Sequence, residues 1–273
     1  MNHYILRLQC PDKPGILHTI TQAILAIQGN IIQADQYTSD DAQFFTRIHY
    51  ATQSAATYDC DRIVTILRNE LSAIAHCLPI SRPLNVAIMV SKSDHCLQEI
   101  LYQWRTKALP ITIQSIISNH KNSEDLARTH HIPFHYLSDP AKSDDTVLSH
   151  TRNTDGIILA RYMQVLSGYF LQQYNKPVIN IHHSFLPSFP GARPYHQAHE
   201  RGVKLIGATA HFATETLDDG PIIAQKVAPI THRDTVHDLK TIGQQLEKQC
   251  LVQAIQLVAS HRVSTHNGKT IIF

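Results

Sequence analysis

The sequence predicts an α/β protein in two parts: a ferredoxin-like α+β domain over residues 1–80, then a Rossmann-like, mostly parallel-sheet domain over residues 84–273. Three observations predict it. Up to residue 80 the apolar periodicity runs β-α-β-β-α, which is the split β-α-β plan. Pro79 and Pro83 then punctuate the chain. Beyond them, nearly continuous apolar runs alternate with helical patterns, the signature of a sheet covered on both faces.

In order, residues 3–10 read as a strand, and Pro11-Asp12-Lys13-Pro14-Gly15 is a turn feeding a helix with Ile16, Ile20, Ile24 and Ile27 on one face. Gly29-Asn30 stops that helix. Strands follow at 31–38 and 43–51 across the polar Ser39-Asp40-Asp41 turn, then a helix from Asp61 to His76 carrying Ile63, Ile66, Leu67, Leu71 and Ile74, and a short strand near Leu78. In the second part Leu84–Val90 is a strand, Ser91-Lys92-Ser93-Asp94 starts a helix, and Leu97, Ile100, Leu101 and Trp104 share its face. Further strands fall at 111–118, 134–137, 156–160 and 178–181, with a strand pair at 208–213 and 222–230 around Asp219-Gly220. A long helix over 234–260 presents Val236, Leu239, Ile242, Leu246, Leu251 and Leu257, and 263–273 form a hairpin around Asn267-Gly268.

Composition narrows the function classes. The 24 lysines and arginines are dispersed against 22 aspartates and glutamates, so no basic stripe suits nucleic acid. Five scattered cysteines, without a C-x-x-C, argue against a disulfide framework or a thiolate zinc site and fit reduced packing residues. No signal segment or membrane-length apolar run is evident, so a cytoplasmic protein is expected.

The chemistry concentrates between Val178 and Pro221. Asn180 and His182, two apart on a strand, project to the same face at a strand end, where open α/β sheets place their sites. Asp218, beyond a Pro/Gly loop, adds a carboxylate. An amide that never titrates, an imidazole and an acid converging on one carbonyl carbon suit acyl or formyl transfer, because the oxyanion that forms is met by preoriented donors. With 19 histidines in the chain most must be surface or packing residues. The cluster is what singles out His182. A carboxylate beside a histidine in a closed site should be perturbed, so activity should depend on pH near neutrality.

These residues also carry a likeness. The run Asn180-Ile-His182-His-Ser-Phe-Leu-Pro187-Ser-Phe-Pro190-Gly191, with Gly207-Ala-Thr-Ala-His211-Phe and Leu217-Asp218-Asp-Gly-Pro221, resembles the formyltetrahydrofolate-dependent formyltransferase and hydrolase superfamily. The first domain, through Cys10-Pro-Asp-Lys-Pro-Gly15-Ile, resembles an ACT domain, and Val90-Ser-Lys-Ser-Asp94-His-Cys-Leu is similar to the first strand-to-helix loop of the deformylase branch. The resemblance implies hydrolysis of 10-formyltetrahydrofolate to tetrahydrofolate and formate, with Asn180, His182 and Asp218 as the catalytic triad, and a place in one-carbon metabolism and purine biosynthesis. It implies folate binding along Met163, Gln164, Val165 and Leu166 and along Ala213, Thr214, Glu215 and Thr216, with His211 supporting the site. Gly168 and Tyr169 depart from the acidic or proline residues of the pattern, read as a loop change. No cofactor and no metal are expected: His182 and His183 point to opposite faces and no third ligand has fitting spacing.

Two rivals remain. Glycinamide ribonucleotide formyltransferases hold a phosphate on a glycine-rich loop, which here reads Ser91-Lys92-Ser93-Asp94; crowding Cβ atoms and a like charge disfavour phosphate and leave water as acceptor. The other is an amino-acid-sensing ACT protein, binding glycine or methionine between paired domains near Gly15 and Gly29-Asn30. A homo-oligomer is expected, and a third outcome, formyl transfer to an amine, would show as acceptor-dependent turnover.

Overall fold

A computed structural model of the chain describes residues 1–53, 57–139, 143–188 and 194–273. These pack as two units, Met1–Pro83 with Ser260–Ser264 and Ile271–Phe273, and Leu84–Ala259 with Thr265–Thr270. The tail is therefore divided, where the sequence reading gave all of 84–273 to one domain. The cause is visible in the first unit: Arg47 donates to the carbonyls of Ser260 (3.1 Å) and His261 (3.2 Å), and Arg7 reaches Ser264 Oγ (3.4 Å).

In the first unit β1 (Asn2–Pro11), α1 (Ile16–Leu25), β2 (Asn30–Thr38), β3 (Gln43–Thr52), α2 (Thr57–Leu71) and β4 (Ile74–Pro79) form an antiparallel sheet of order β2-β3-β1-β4. Its core gathers Leu6, Leu8, Ile20, Ile24, Ile48, Tyr50, Ile63 and Leu67. Burying each such aliphatic side chain stabilises by about 1.5–3 kcal/mol. Two expectations shift here. Helix α1 stops at Leu25 and Ile27 is buried beyond it, since Gly29 N–H turns back onto the Ile24 carbonyl at 2.9 Å and a Cβ at Gly29 would sit 2.7 Å from Ile24 Cγ2. Helix α2 ends at Leu71 rather than His76 because Ser72 takes a left-handed backbone (φ 53°), so Ile74 starts β4 and is exposed.

The second unit holds a sheet of order β11-β10-β9-β8-β5-β6-β7: β5 (Leu84–Val90), β6 (Ile111–Ser118), β7 (Phe134–Tyr136), β8 (Gly156–Leu159), β9 (Val178–His182), β10 (Leu205–Phe212) and β11 (Ile222–Pro229). Strands β7 to β9 are parallel neighbours through β6, β5 and β8, whereas β10 runs antiparallel to both β9 and β11. Around the sheet lie α3 (His95–Arg105), α4 (Glu124–Thr129), α5 (Asp144–Thr151), α6 (Gly168–Tyr174), α7 (Pro194–Glu200) and α8 (Val236–Ala259). The sequence reading placed α3 and α8 but not α4 to α7, which are short and lack an apolar period. Gly168 and Tyr169 open α6, capped by Ser167 Oγ accepting from Phe170 N–H at 2.9 Å, so they belong to a helix and not to a loop. Helix α8 buries Leu239, Leu246, Leu251 and Leu257 as expected, together with Gly243, Cys250, Ala254, Ile255 and, among these apolar residues, Glu247; Val236 and Ile242 are only half-buried. Strands β12 (Val263–His266) and β13 (Lys269–Ile272) pair across Asn267-Gly268, both at positive φ. All five cysteines are free, and among the described residues no helix is long and apolar enough to cross a membrane.

Candidate active site

Strand β9 carries Asn180 and His182 on one face, and its antiparallel pairing with β10 sets His211 directly opposite Asn180 and Thr209 opposite His182. A register irregularity between Ala210 and His211 lies beside them, where bulges re-aim side chains. Asn180 Nδ2 lies 3.1 Å from His211 Nε2, and His211 Nδ1 lies 3.0 Å from the Phe212 carbonyl. That carbonyl can only accept, so Nδ1 carries the proton and Nε2 accepts from the Asn180 amide. His211 therefore fixes which way the amide faces, and burial lowers its pKa, favouring the neutral ring this arrangement needs.

Asp218 comes from the loop between β10 and β11. Its Oδ1 lies 3.1 Å from His182 Nδ1 and 3.8 Å from His211 Nε2. The hydrogen bond from His182 holds the Asp218 pKa below its ordinary value, outweighing its burial, with the field of the nearby histidines adding to the effect. His182 is 5% exposed, and its Nε2 is buried without a hydrogen-bond partner among the described residues. The imidazole is thus oriented by an acid at one nitrogen and open at the other.

These groups line a cavity of about 400 Å³, a size that suits a small organic ligand. One wall is Met163, Gln164, Val165 and Leu166; another is Ala213, Thr214, Glu215, Leu217 and Asp218. Of the residues expected to bind, Thr216 alone does not line it, because its carbonyl turns into the loop to accept from Thr214 Oγ1 at 3.0 Å. The 161–167 segment is pinned at both ends: Met163 N–H donates to Ser91 Oγ at 2.9 Å, Ser91 Oγ donates to Asn119 at 2.7 Å, and Ser167 caps α6. Of the quoted motif, Phe189, Pro190 and Gly191 lie outside the described residues. Thr209 steadies what precedes them, donating to the Ser184 carbonyl and accepting from Leu186 N–H.

Sequence reasoning missed a second polar group beside the cavity. Glu247, 1% exposed, lies 2.8 Å from His95 Nε2, accepts from Tyr195 Oη at 2.6 Å and faces Arg161 Nε at 3.3 Å. Burial would raise the Glu247 pKa, but the His95 hydrogen bond, the Arg161 charge and Tyr195 bring it below its ordinary value. Its signal in the sequence was an acid inside the apolar stripe of α8. With Cys96 Sγ, the His95 and Glu247 ligand atoms lie within 4.8 Å of one another, as a metal would require, though Arg161 and Tyr195 already engage the carboxylate.

His183 follows His182 at a ring separation of 5.2 Å. Burial, with the Arg161 charge, lowers its pKa from 6.5 to about 4. The unfolded chain thus takes up a proton below pH 6.5 that the native chain refuses until about pH 4. The sign is positive with pH: a contribution of about 3 kcal/mol is complete above pH 6.5 and vanishes on acidification to about pH 4. Urea unfolding at intervals across that window will show stability falling with pH in the wild type and a flatter profile in His183→Gln; equal slopes would remove His183 as the cause.

Residues 84–255 match the formyl transferase family model and residues 4–54 match that of the ACT domain. Fold and site thus define an enzyme of the formyl transferase class with an ACT domain before it. A formyltetrahydrofolate deformylase of Synechocystis sp. is 40% identical, over 98% of this chain and 97% of its own length. The crystal structure of formyltetrahydrofolate deformylase from Burkholderia mallei superposes with a TM-score of 0.94 at 34% identity, covering 100% of both chains. This chain belongs to the formyltetrahydrofolate deformylase family. Glycinamide ribonucleotide transformylase 1 from Symbiobacterium toebii is more distant, with a TM-score of 0.66 at 30% identity over 70% of this chain and 95% of its own.

Proposed function

We propose that the chain hydrolyses 10-formyltetrahydrofolate to tetrahydrofolate and formate, with Asn180, His182 and Asp218 as the catalytic residues. The observation that carries this reading is the convergence of the Asn180 amide, the open His182 Nε2 and the Asp218 carboxylate on one cavity. The pterin lies against the 163–166 and 213–215 walls and presents its formamide to that corner. Water attacks the formyl carbon, forming the C–O bond as one of its protons passes to Asp218, and the carbonyl oxygen takes up the electron pair. The Asn180 N–H and protonated His182 meet that charge. On collapse the C–N bond breaks, His182 gives its proton to the leaving nitrogen, the proton held by Asp218 restores the His182 charge, and the acid product loses its own proton to give formate. The side chains supply this chemistry without a cofactor or metal ion, and we place the reaction in the cytoplasm.

Purified protein given 10-formyltetrahydrofolate and no amine should release formate and tetrahydrofolate in equal amounts. Turnover that appears only when glycinamide ribonucleotide or another amine is added would instead make it a transferase.

A second reading concerns the ACT domain, whose family points to small-molecule effectors. Strand β2 is one edge of its sheet and exposes Ile32 and Tyr37. An edge of that kind suits pairing with a second copy, which would place effectors such as glycine or methionine between domains near Gly15 and Gly29-Asn30. Adding each amino acid in turn to the formate assay tests it; a rate indifferent to both would leave the domain an oligomerisation element.

A further inference from the structure

Hydrolysis turns a neutral formamide into an anion inside a pocket that already holds the Asp218 carboxylate. Formate and Asp218 repel each other, so the product needs a cationic partner. Among the described lining residues Arg161 brings a guanidinium, and burial with that neighbouring charge lowers the His183 pKa so that its ring is neutral. The guanidinium makes no hydrogen bond among the described residues. Nε is buried without a hydrogen-bond partner among the described residues, its ion pair with Glu247 at 3.3 Å lying outside hydrogen-bond geometry. Glu247 instead spends its oxygens on Tyr195 and His95. The Arg161 backbone is left-handed (φ 64°), a costly conformation for an arginine and one that collects at functional positions. Its carbonyl accepts from Ser91 N–H, which anchors the residue just beyond β8.

We infer that Arg161 forms the subsite that receives formate, the small carboxylate product, as it leaves the formyl position. The inference rests on the hydrolytic reading above. A guanidinium fork matches a carboxylate with two parallel N–H donors. The folate's own carboxylates are the other source of that chemistry, but its tail must run toward solvent, past the rim at Met163 (57% exposed) and Val165 (74% exposed), whereas the Arg161 side chain is only 15% exposed. Glu247 tunes the subsite by holding the cation in place while weakening its field.

The test titrates sodium formate into the full-length protein and follows the formate proton resonance by saturation transfer, a readout that needs no turnover. Arg161→Gln should raise the formate Kd at least tenfold, Arg161→Lys should fall between it and the wild type, and Glu247→Gln should tighten formate a few-fold, the opposite direction. Tetrahydrofolate binding, titrated separately, should stay within twofold in Arg161→Gln. Equal formate affinity in the wild type and Arg161→Gln, weaker formate binding in Glu247→Gln, no detectable formate binding by the wild type, or a loss confined to tetrahydrofolate would each overturn the assignment. Formate release by the wild type alongside any of these would leave the hydrolytic reading standing, and formate binding without turnover would do the reverse.

Discussion

Asp218→Asn will lower formate release from 10-formyltetrahydrofolate by about 10²- to 10⁴-fold while folate binding stays measurable. Asparagine is the informative replacement because Asp218 sits at φ 56°, a left-handed backbone that Asn adopts more readily than Ala. Volume, backbone and one acceptor oxygen are kept; the charge is lost. The His182 Nδ1–H then faces either a weaker acceptor or, with the amide turned, a donor that forces the other tautomer. Either way the water loses the acceptor of its proton, and the Nε2 proton of His182 is no longer held ready for the oxyanion and the leaving nitrogen. The loss should therefore fall on kcat and leave KM within a few-fold. Steady-state kinetics with a tetrahydrofolate titration will decide, and a kcat within tenfold of the wild type would remove Asp218 from the chemistry.

Gly220→Ala will cost comparable activity by a different route. A Cβ at Gly220 would lie 1.7 Å from the Phe212 carbonyl oxygen and 2.9 Å from its carbon. Both are backbone atoms, so no side chain can swing aside. Phe212 is anchored in turn, its N–H donating to Pro221 and its carbonyl facing His211 Nδ1. Relief must come from moving the loop, which carries Asp218 away from His182 and loosens the hold on His211. Overpacking of this kind destabilises by about 1–3 kcal/mol or more. A fall of several degrees in the thermal midpoint together with formate release near the Asp218→Asn level is expected; a variant with wild-type stability and rate would show that the loop can reach its working position another way.

How much of this was legible in the sequence depended on range. Asn180 and His182 were readable because a strand's period of two places them together whatever surrounds it. The α8 stripe was readable from its apolar spacing, and the two-part organisation from the change of period. Helices α4 to α7 were not, since six to eight residues give too few turns for a periodicity to stand out. The α2 terminus was missed because Ser72, an ordinary residue, takes a left-handed backbone that only the packing of β4 demands. Arg161 escaped for a third reason: it is unremarkable just past β8, and Glu247, an acid inside the apolar stripe of α8, takes its meaning when the fold brings the two within 3.3 Å.

The pairing of β9 between β8 and β10 has a consequence for motion. Asn180 is laddered on both sides, to β8 and β10, and His182 to β10, so amide exchange there should be slow and nearly insensitive to ligand. Asp218 hangs from a connection outside that ladder. Whatever gating accompanies turnover should appear at residues 213–221, with the two donors waiting motionless for the acid to arrive.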